Sequence, residues 1–284
     1  MSVRTVVVLP VPARASIVRR RMATTLAVLS QKGGTGKTTT VRTLTDVLRR
    51  VGLEALAVDL DPQGNLSDYF DVPADADPTI ADVLAGRARA LDAIHGDVIP
   101  ANLGLAESEL ILAGKMGREM TLRRALREAK RRYDVILIDC PPSLGLLTVN
   151  AVVAADYALL TTEGQYFSLQ GVEQALEVIE LARENLQPDL EWLGVVLNIA
   201  DLRTVHSREA QASLRERFGD KVFSTPIRQS IRYAESAERG VSILDFRADL
   251  GADYLALADE VLERLGFAEE RTRLAELRAE LVPA

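Results

Sequence analysis

The order of residues predicts an α/β fold: a mostly parallel twisted sheet flanked by helices on both faces. Three observations carry that prediction. From Thr24 onward, apolar runs of strand length alternate with amphipathic stretches of helical period. A glycine-rich turn at residues 32–40 (KGGTGKTTT) separates the first apolar run from the first helical stretch. Two runs end in aspartates, AVDLD at 57–61 and VILID at 135–139, where strands of an open α/β sheet present ligand-binding groups.

The elements follow in order. Residues 24–29 (TTLAVL) read as a buried strand, and the turn delivers the chain into a helix from Lys37 to about Arg50. Residues 53–60 (LEALAVDL) are the second strand. A basic helix over 122–132 enters a third strand at 133–138 (YDVILI). Residues 157–162 and 193–197 make two more strands, joined by a helix at 169–185 that Pro188 follows as a stop signal. Helices at 205–218 and 252–265 close the pattern. Leu274, Leu277 and Leu281 recur at helical spacing, so the tail reads as an added surface helix rather than a separate module. With no repeat or low-complexity linker, one phosphate-loop domain is expected over 22–266, followed by a charged helix or tail at 267–284. Residues 1–21 loosely imitate an export signal, but Pro10 interrupts the apolar run and Pro12 ends it. They are expected to be a disordered basic extension, or a start assigned too early with Met22 as the true beginning.

Composition narrows the class. The 284 residues are 48% hydrophobic and 26% charged, an ordinary globular balance. Cys140 is the single cysteine, which excludes an intrachain disulfide and a cysteine-ligated metal or iron–sulfur site within one chain. It fits a reducing cytoplasm. No apolar run approaches the ~20 residues that span a bilayer. The net charge of −7 is uneven: residues 1–21 hold five arginines and no acid, and 22–200 hold 16 basic and 25 acidic groups. Residues 201–247 hold nine basic and seven acidic groups, and are expected to be the one folded region with a basic excess. An acidic protein meets a polyanion through such a local patch.

Strand, glycine-rich turn and helix in that order make a credible phosphate site. Gly33, Gly34 and Gly36 permit positive φ and close approach of backbone N–H groups to phosphate oxygens. The helix N-terminus adds partial positive charge. Lys37 is expected on the β- and γ-phosphates, with the Thr38 hydroxyl on Mg²⁺. Asp139, ending its strand, takes the Walker-B place near the metal. Asp59 and Asp61, two apart at a strand end, share a face; one can serve the metal shell while the other orients the attacking water. Any one of these aspartates alone could be a turn or helix cap. Three of them beside a phosphate loop point to chemistry.

The loop breaks the usual Gly-x-x-x-x-Gly-Lys-Ser/Thr rule, with Gln31 at the first glycine and Lys32 next to it. In this the stretch Lys32-Gly33-Gly34-Thr35-Gly36-Lys37-Thr38-Thr39 resembles the deviant Walker A of the ParA/MinD superfamily of P-loop ATPases. Asp59-Leu60-Asp61-Pro62-Gln63-Gly64-Asn65 resembles that family's second box, and Ile138-Asp139-Cys140-Pro141-Pro142-Ser143, with Thr148 and Asn150 downstream, its Walker B. Asp201-Leu202-Arg203-Thr204 and Ile231-Arg232-Tyr233-Ala234-Glu235 resemble segments of the Soj-type ParA partition branch. The likeness runs from about Ala23 to Leu265.

The resemblance implies ATP and Mg²⁺ as cofactors and a sandwich homodimer when ATP is bound. Lys32 would reach the phosphates of the other subunit, Asp61 would position the attacking water, Asp59 would lie near the metal, and Asn198 would read adenine. It also implies non-specific double-stranded DNA as a partner, met by Arg203 and Arg232, and a ParB-like centromere-binding protein that stimulates weak ATP hydrolysis. Singly, each arginine could be a solvated surface charge, as could Arg208 and Arg215, seven apart on one helix. The domain starts too near the N-terminus for a winged helix, so operator-specific binding is not expected. A MinD-like attachment to membrane is the rival, along with positioning of a protein cluster. Residues 267–284 carry more acid than base and one aromatic, Phe267, which disfavours an interfacial helix. A metabolic P-loop enzyme is the rival of a different class. His95 and His206 lack ligand spacing, Cys140 reads as a small packed residue, and Trp192 and Tyr166 as core or dimer-surface groups.

Overall fold

The computed structural model describes residues 22–164, 168–201 and 203–281. Expectations for residues 1–21 and for Tyr166 lie outside them. In chain order the strands are β1 (Thr24–Leu29), β2 (Ala55–Asp59), β3 (Val98–Ile99), β4 (Val135–Asp139), β5 (Tyr157–Glu163) and β6 (Glu191–Asn198). Helix α1 (Lys37–Arg50) follows β1. Next come α2 (Asn65–Tyr69), α3 (Ile80–Ala85), α4 (Gly104–Ala113) and α5 (Thr121–Ala125). The second half adds α6 (Leu146–Ala154), α7 (Ser168–Asn185), α8 (Val205–Phe218), α9 (Arg232–Glu238), α10 (Ile243–Phe246), α11 (Ala248–Leu265) and α12 (Ala268–Leu281).

All six strands run parallel in the order β3-β2-β4-β1-β5-β6, as the alternation of strand and helix predicts. The period of two sorts each strand onto two faces. Ala27, Leu29, Ile136, Ile138 and Leu160 pack with α3 to α8 on one side. Leu26, Val28, Val135, Leu137 and Leu159 pack with α1, α10 and α11 on the other. Both faces are covered, which is why the central strands read as unbroken apolar runs.

Several boundaries differ from expectation. The second strand contracts to Ala55–Asp59, because the Leu53 N–H closes on the Leu48 carbonyl at the end of α1. The expected helix over 122–132 breaks into α5 and a 3₁₀ turn at Ala129–Arg131. Arg123, Arg127 and Arg131 recur four apart there, and like charges at that spacing weaken a helix. The tail does form a helix, α12, but its Leu274 is buried, with Leu277 and Leu281 packed against the same core. Arg271 of α12 also bonds Asp259 of α11 at 2.8 and 2.9 Å.

Candidate nucleotide site

β1 ends at Leu29 and α1 begins at Lys37, so residues 30–36 turn at the carboxyl edge of the sheet. Gly34 and Gly36 have φ of +77° and +79°, which side-chain-bearing residues rarely adopt. At Gly36 space is short as well: a Cβ there would sit 2.7 Å from Asn198 Nδ2. Lys37 is buried, its Nζ donating to the Lys32 carbonyl at 3.3 Å. Gly33, Gly34, Gly36, Lys37, Thr38, Thr39 and Asp61 line a cleft of about 520 Å³, walled opposite by Tyr69, Pro142 and Glu238.

Beneath the cleft lie the carboxylates. Asp59 and Asp139 are register partners at the ends of adjacent strands. The Thr38 hydroxyl donates to Asp139 Oδ2 at 2.7 Å, while buried Asp139 Oδ1 has no partner among the described residues. Asp59 accepts three hydrogen bonds: from the Asp61 N–H at 3.1 Å, and from the Ser67 N–H and hydroxyl at 2.9 and 2.7 Å. Burial, reinforced by the charge of Asp59, pushes the Asp139 carboxyl well above the usual range. Burial likewise raises Asp59, against the pull of its Ser67 bonds. Asp61 is half-buried and accepts the Gln63 N–H at 3.0 Å, a turn that leaves its other oxygen available to the cleft.

Other expected residues are placed differently. Asn198 is fully buried, and its Nδ2 donates to the Thr35 carbonyl at 2.9 Å and to Thr40 Oγ1 at 3.2 Å. Asn198 Nδ2 thus props the phosphate loop from beneath, while its buried Oδ1 has no partner among the described residues. Thr35 is buried against Thr161, the two hydroxyls 3.0 Å apart. Lys32 reaches away from the cleft and pairs with Glu163 at 3.0 Å. Arg203 lies on the outside, held by Asp201 through two bonds of 2.8 and 3.0 Å, and Arg232 pairs with Glu235 at 2.5 Å one turn along α9. Cys140 is buried, as its packing role requires. Trp192 stacks edge-on against Phe218, with ring centres 5.4 Å apart.

Two residues in these contacts escaped the sequence reading. Glu163 is an acid ending a buried strand, the same signal that marked Asp59 and Asp139. Ser67 carries no comparable mark, since its role comes from α2 turning back onto β2.

A parallel sheet with a lysine- and glycine-rich loop between its first strand and first helix defines a P-loop nucleotide-binding protein. Comparison with known proteins agrees. A family profile described as an AAA domain matches residues 23–192. The chromosome partitioning protein ParA of Caulobacter vibrioides is 40% identical over 250 residues, 84% of this chain and 94% of its own. The structure of cobyrinic acid a,c-diamide synthase from Mycobacterium smegmatis, with bound ADP and magnesium, matches at a TM-score of 0.70 and 34% identity, over 80% of this chain and 95% of that one. The septum site-determining protein MinD of Pyrococcus horikoshii, complexed with Mg-ADP, gives 0.71 and 28%, over 87% and 98%. The chain belongs to the ParA/MinD superfamily of P-loop ATPases.

Proposed function

We propose that this chain is a ParA-type partition ATPase, which binds ATP, dimerises, holds DNA without sequence preference and lets go on hydrolysis. The observation that carries the nucleotide half is Asp139, buried with one oxygen on the Thr38 hydroxyl and the other without a partner. An orphaned carboxylate oxygen directly behind Thr38, which lines the cleft, fits a cation. Mg²⁺, when bound, neutralises charge on the β- and γ-phosphates.

The chain's own residues do the rest. N–H groups of Gly33, Gly34, Thr35, Gly36 and of Lys37, Thr38 and Thr39 at the start of α1 cradle phosphate oxygens. Lys37 leaves its backbone carbonyl for the phosphates, at small cost because an ammonium rotates freely among acceptors. Thr38 and Asp139 hold the metal, and Asp59, fixed by Ser67, supports them from the neighbouring strand. Asp61 orients the attacking water in line with the terminal phosphoryl group. Lys32 then supplies a cation in trans from the second subunit, stabilising charge as phosphoryl transfer proceeds. A lone subunit lacks that cation and hydrolyses slowly; a ParB-like partner stimulates the paired state.

The DNA half rests on Arg203 and Arg232, exposed cations in the segments that resemble the partition branch. A membrane cargo is disfavoured. Helix α12 spends its apolar side on the core, where Leu274, Leu277 and Leu281 pack, rather than offering it to a lipid surface. The protein is expected to be cytoplasmic and nucleoid-associated. The deciding measurement is retention on long duplex DNA of arbitrary sequence, with ATP–Mg²⁺ and with ADP, across a salt series. Retention with ATP alone, lost in Arg203→Ala/Arg232→Ala while dimerisation persists, is the expected result. Equal retention by that double variant would refute the assigned surface.

A further inference from the structure

Residues 118–132 carry seven basic and two acidic groups, a denser excess than the nine against seven of residues 201–247. Averaging over the acidic block 22–200 hides it, so the expectation of a single basic region needs correcting. The segment immediately precedes β4 and therefore lies at the amino edge of the sheet, opposite the nucleotide cleft. Strands of five to six residues separate the two edges by roughly 17–20 Å.

At this pole a second cleft opens, of about 980 Å³, lined by Arg123, Arg124, Arg127 and Lys130 together with Asp134 and Asp156. Both acids are already engaged. Asp134 Oδ2 accepts the Glu54 N–H at 2.9 Å; Asp156 Oδ2 accepts the Thr25 N–H at 2.7 Å and pairs with Lys130 at 3.2 Å. Among the described residues that pair is the one ion pair within the lining. Leu122, Leu126 and Ala129 are buried and pin the segment to the core, while Arg124 and Arg127 stand exposed.

We infer that this pole is a second polyanion surface, one that takes the phosphate backbone of duplex DNA. Unlike Arg203 and Arg232, Arg123, Arg124 and Arg127 are not held by a carboxylate among the described residues, and guanidinium groups match phosphate oxygens two at a time. The cations ring a concavity, which suits a rounded backbone better than a flat lipid surface. The inference rests on the partition reading for its choice of DNA as the polyanion. The pole lies far from the nucleotide, so its cations add to the grip of the ATP-bound dimer without contacting the nucleotide themselves.

The test compares full-length protein with Arg123→Ala/Arg124→Ala/Arg127→Ala and with the single exposed change Arg127→Ala. Retention on long duplex DNA is followed against salt, with ATP–Mg²⁺ and with ADP, beside capture on phosphatidylglycerol vesicles. Each lost phosphate contact lowers the slope of log affinity against log salt by about 0.9. With ATP–Mg²⁺ the triple variant should therefore lose about 2–3 units of slope and the single variant about 1, with DNA-free ATP turnover unchanged. Wild-type slopes in both variants overturn the inference and leave the ATP switch standing. Equal wild-type retention in ATP and ADP, lost in the triple variant, upholds this surface and sinks the switch. Vesicle capture lost with the DNA slope intact assigns the pole to lipid and overturns it, as does a wild-type chain that DNA never retains.

Discussion

Asp59 and Arg203 follow the ends of strands in the same sheet, yet their charges are managed in opposite ways. Asp59 is wholly buried and fixed by three donors. Arg203 is 91% exposed and rests on Asp201, two residues away. Arg232 and Lys32 resemble Arg203, each parked on a carboxylate of its own chain. Exposed pairs of this kind contribute about 0–1 kcal/mol, so trading a carboxylate for a phosphate costs little. Buried groups cannot trade: their geometry is set before any ligand arrives, at a cost in stability. On the proposed reading, the cleft is thus pre-organised for chemistry, and the exposed cations are held in reserve for association.

The largest expected effect breaks the chemistry and spares the rest. Asp61→Ala should lower partner-stimulated turnover by about 10²-fold or more, the scale of a lost water-orienting group, while ATP-dependent dimerisation survives. Phosphate release and light scattering on the same samples measure both; a tenfold loss or less would remove Asp61 from the mechanism.

Asp139→Asn tests the stability cost directly. Burial, then the charge of Asp59, raises the Asp139 carboxyl in the folded chain above its unfolded value. The folded chain then holds this proton more tightly than the unfolded one. Nucleotide-free stability is therefore greatest below the ordinary carboxylate range and declines as pH rises through the raised value. The amide removes that decline, so the variant should gain about 1–2 kcal/mol over wild type near pH 8 and almost nothing near pH 4. Thermal melts at both values check it, and a gain of equal size at the two would contradict the assigned cause. Mg²⁺-dependent turnover should be lost in the same variant, the expected trade between stability and function.

Gly36→Ala probes the prop beneath the loop. Both the positive φ and the 2.7 Å approach to Asn198 resist a methyl group, so a loss of about 2 kcal/mol is expected. Adding Asn198→Ala relieves the close approach but not the φ strain, so the double change should cost less than the sum of its parts. Strict additivity in denaturant titrations would mean that the two side chains do not share the site.

The same contrast explains what the sequence could reveal. β1, β4, β5 and β6 are legible because strands covered on both faces must be apolar along their length. The phosphate loop is legible because backbone approach to phosphate demands glycine at fixed positions. β3 is two residues long and too short to show any period, and α2 to α4 sit in a stretch without sustained amphipathic spacing. Asn198 illustrates the deeper limit. Its residue type fits either a base reader or a loop prop, and the bond that makes it a prop joins it to Thr35, 163 positions away in the chain. The stretch 122–132 is legible as basic, but averaging charge over a block far longer than the patch hides that its excess is denser than that of 201–247.

Glu163→Gln gives the smallest effect and the sharpest test of the contrast, since Lys32 belongs by position to the cleft and by exposure to the reserve. The lysine is 62% exposed, so its 3.0 Å pair with Glu163 is screened and worth at most about 1 kcal/mol. Glutamine keeps the shape and a hydrogen-bonding oxygen while removing the charge that holds Lys32 to its own subunit. Thermal stability should fall by less than about 1 kcal/mol. ATP-dependent dimerisation should tighten by no more than about fivefold, the same free energy expressed as an equilibrium constant. Sedimentation across a concentration series with ATP–Mg²⁺ reads that shift. Weaker dimerisation would mean that Glu163 helps to build the interface, and that Lys32 is positioned by its pair rather than held back by it.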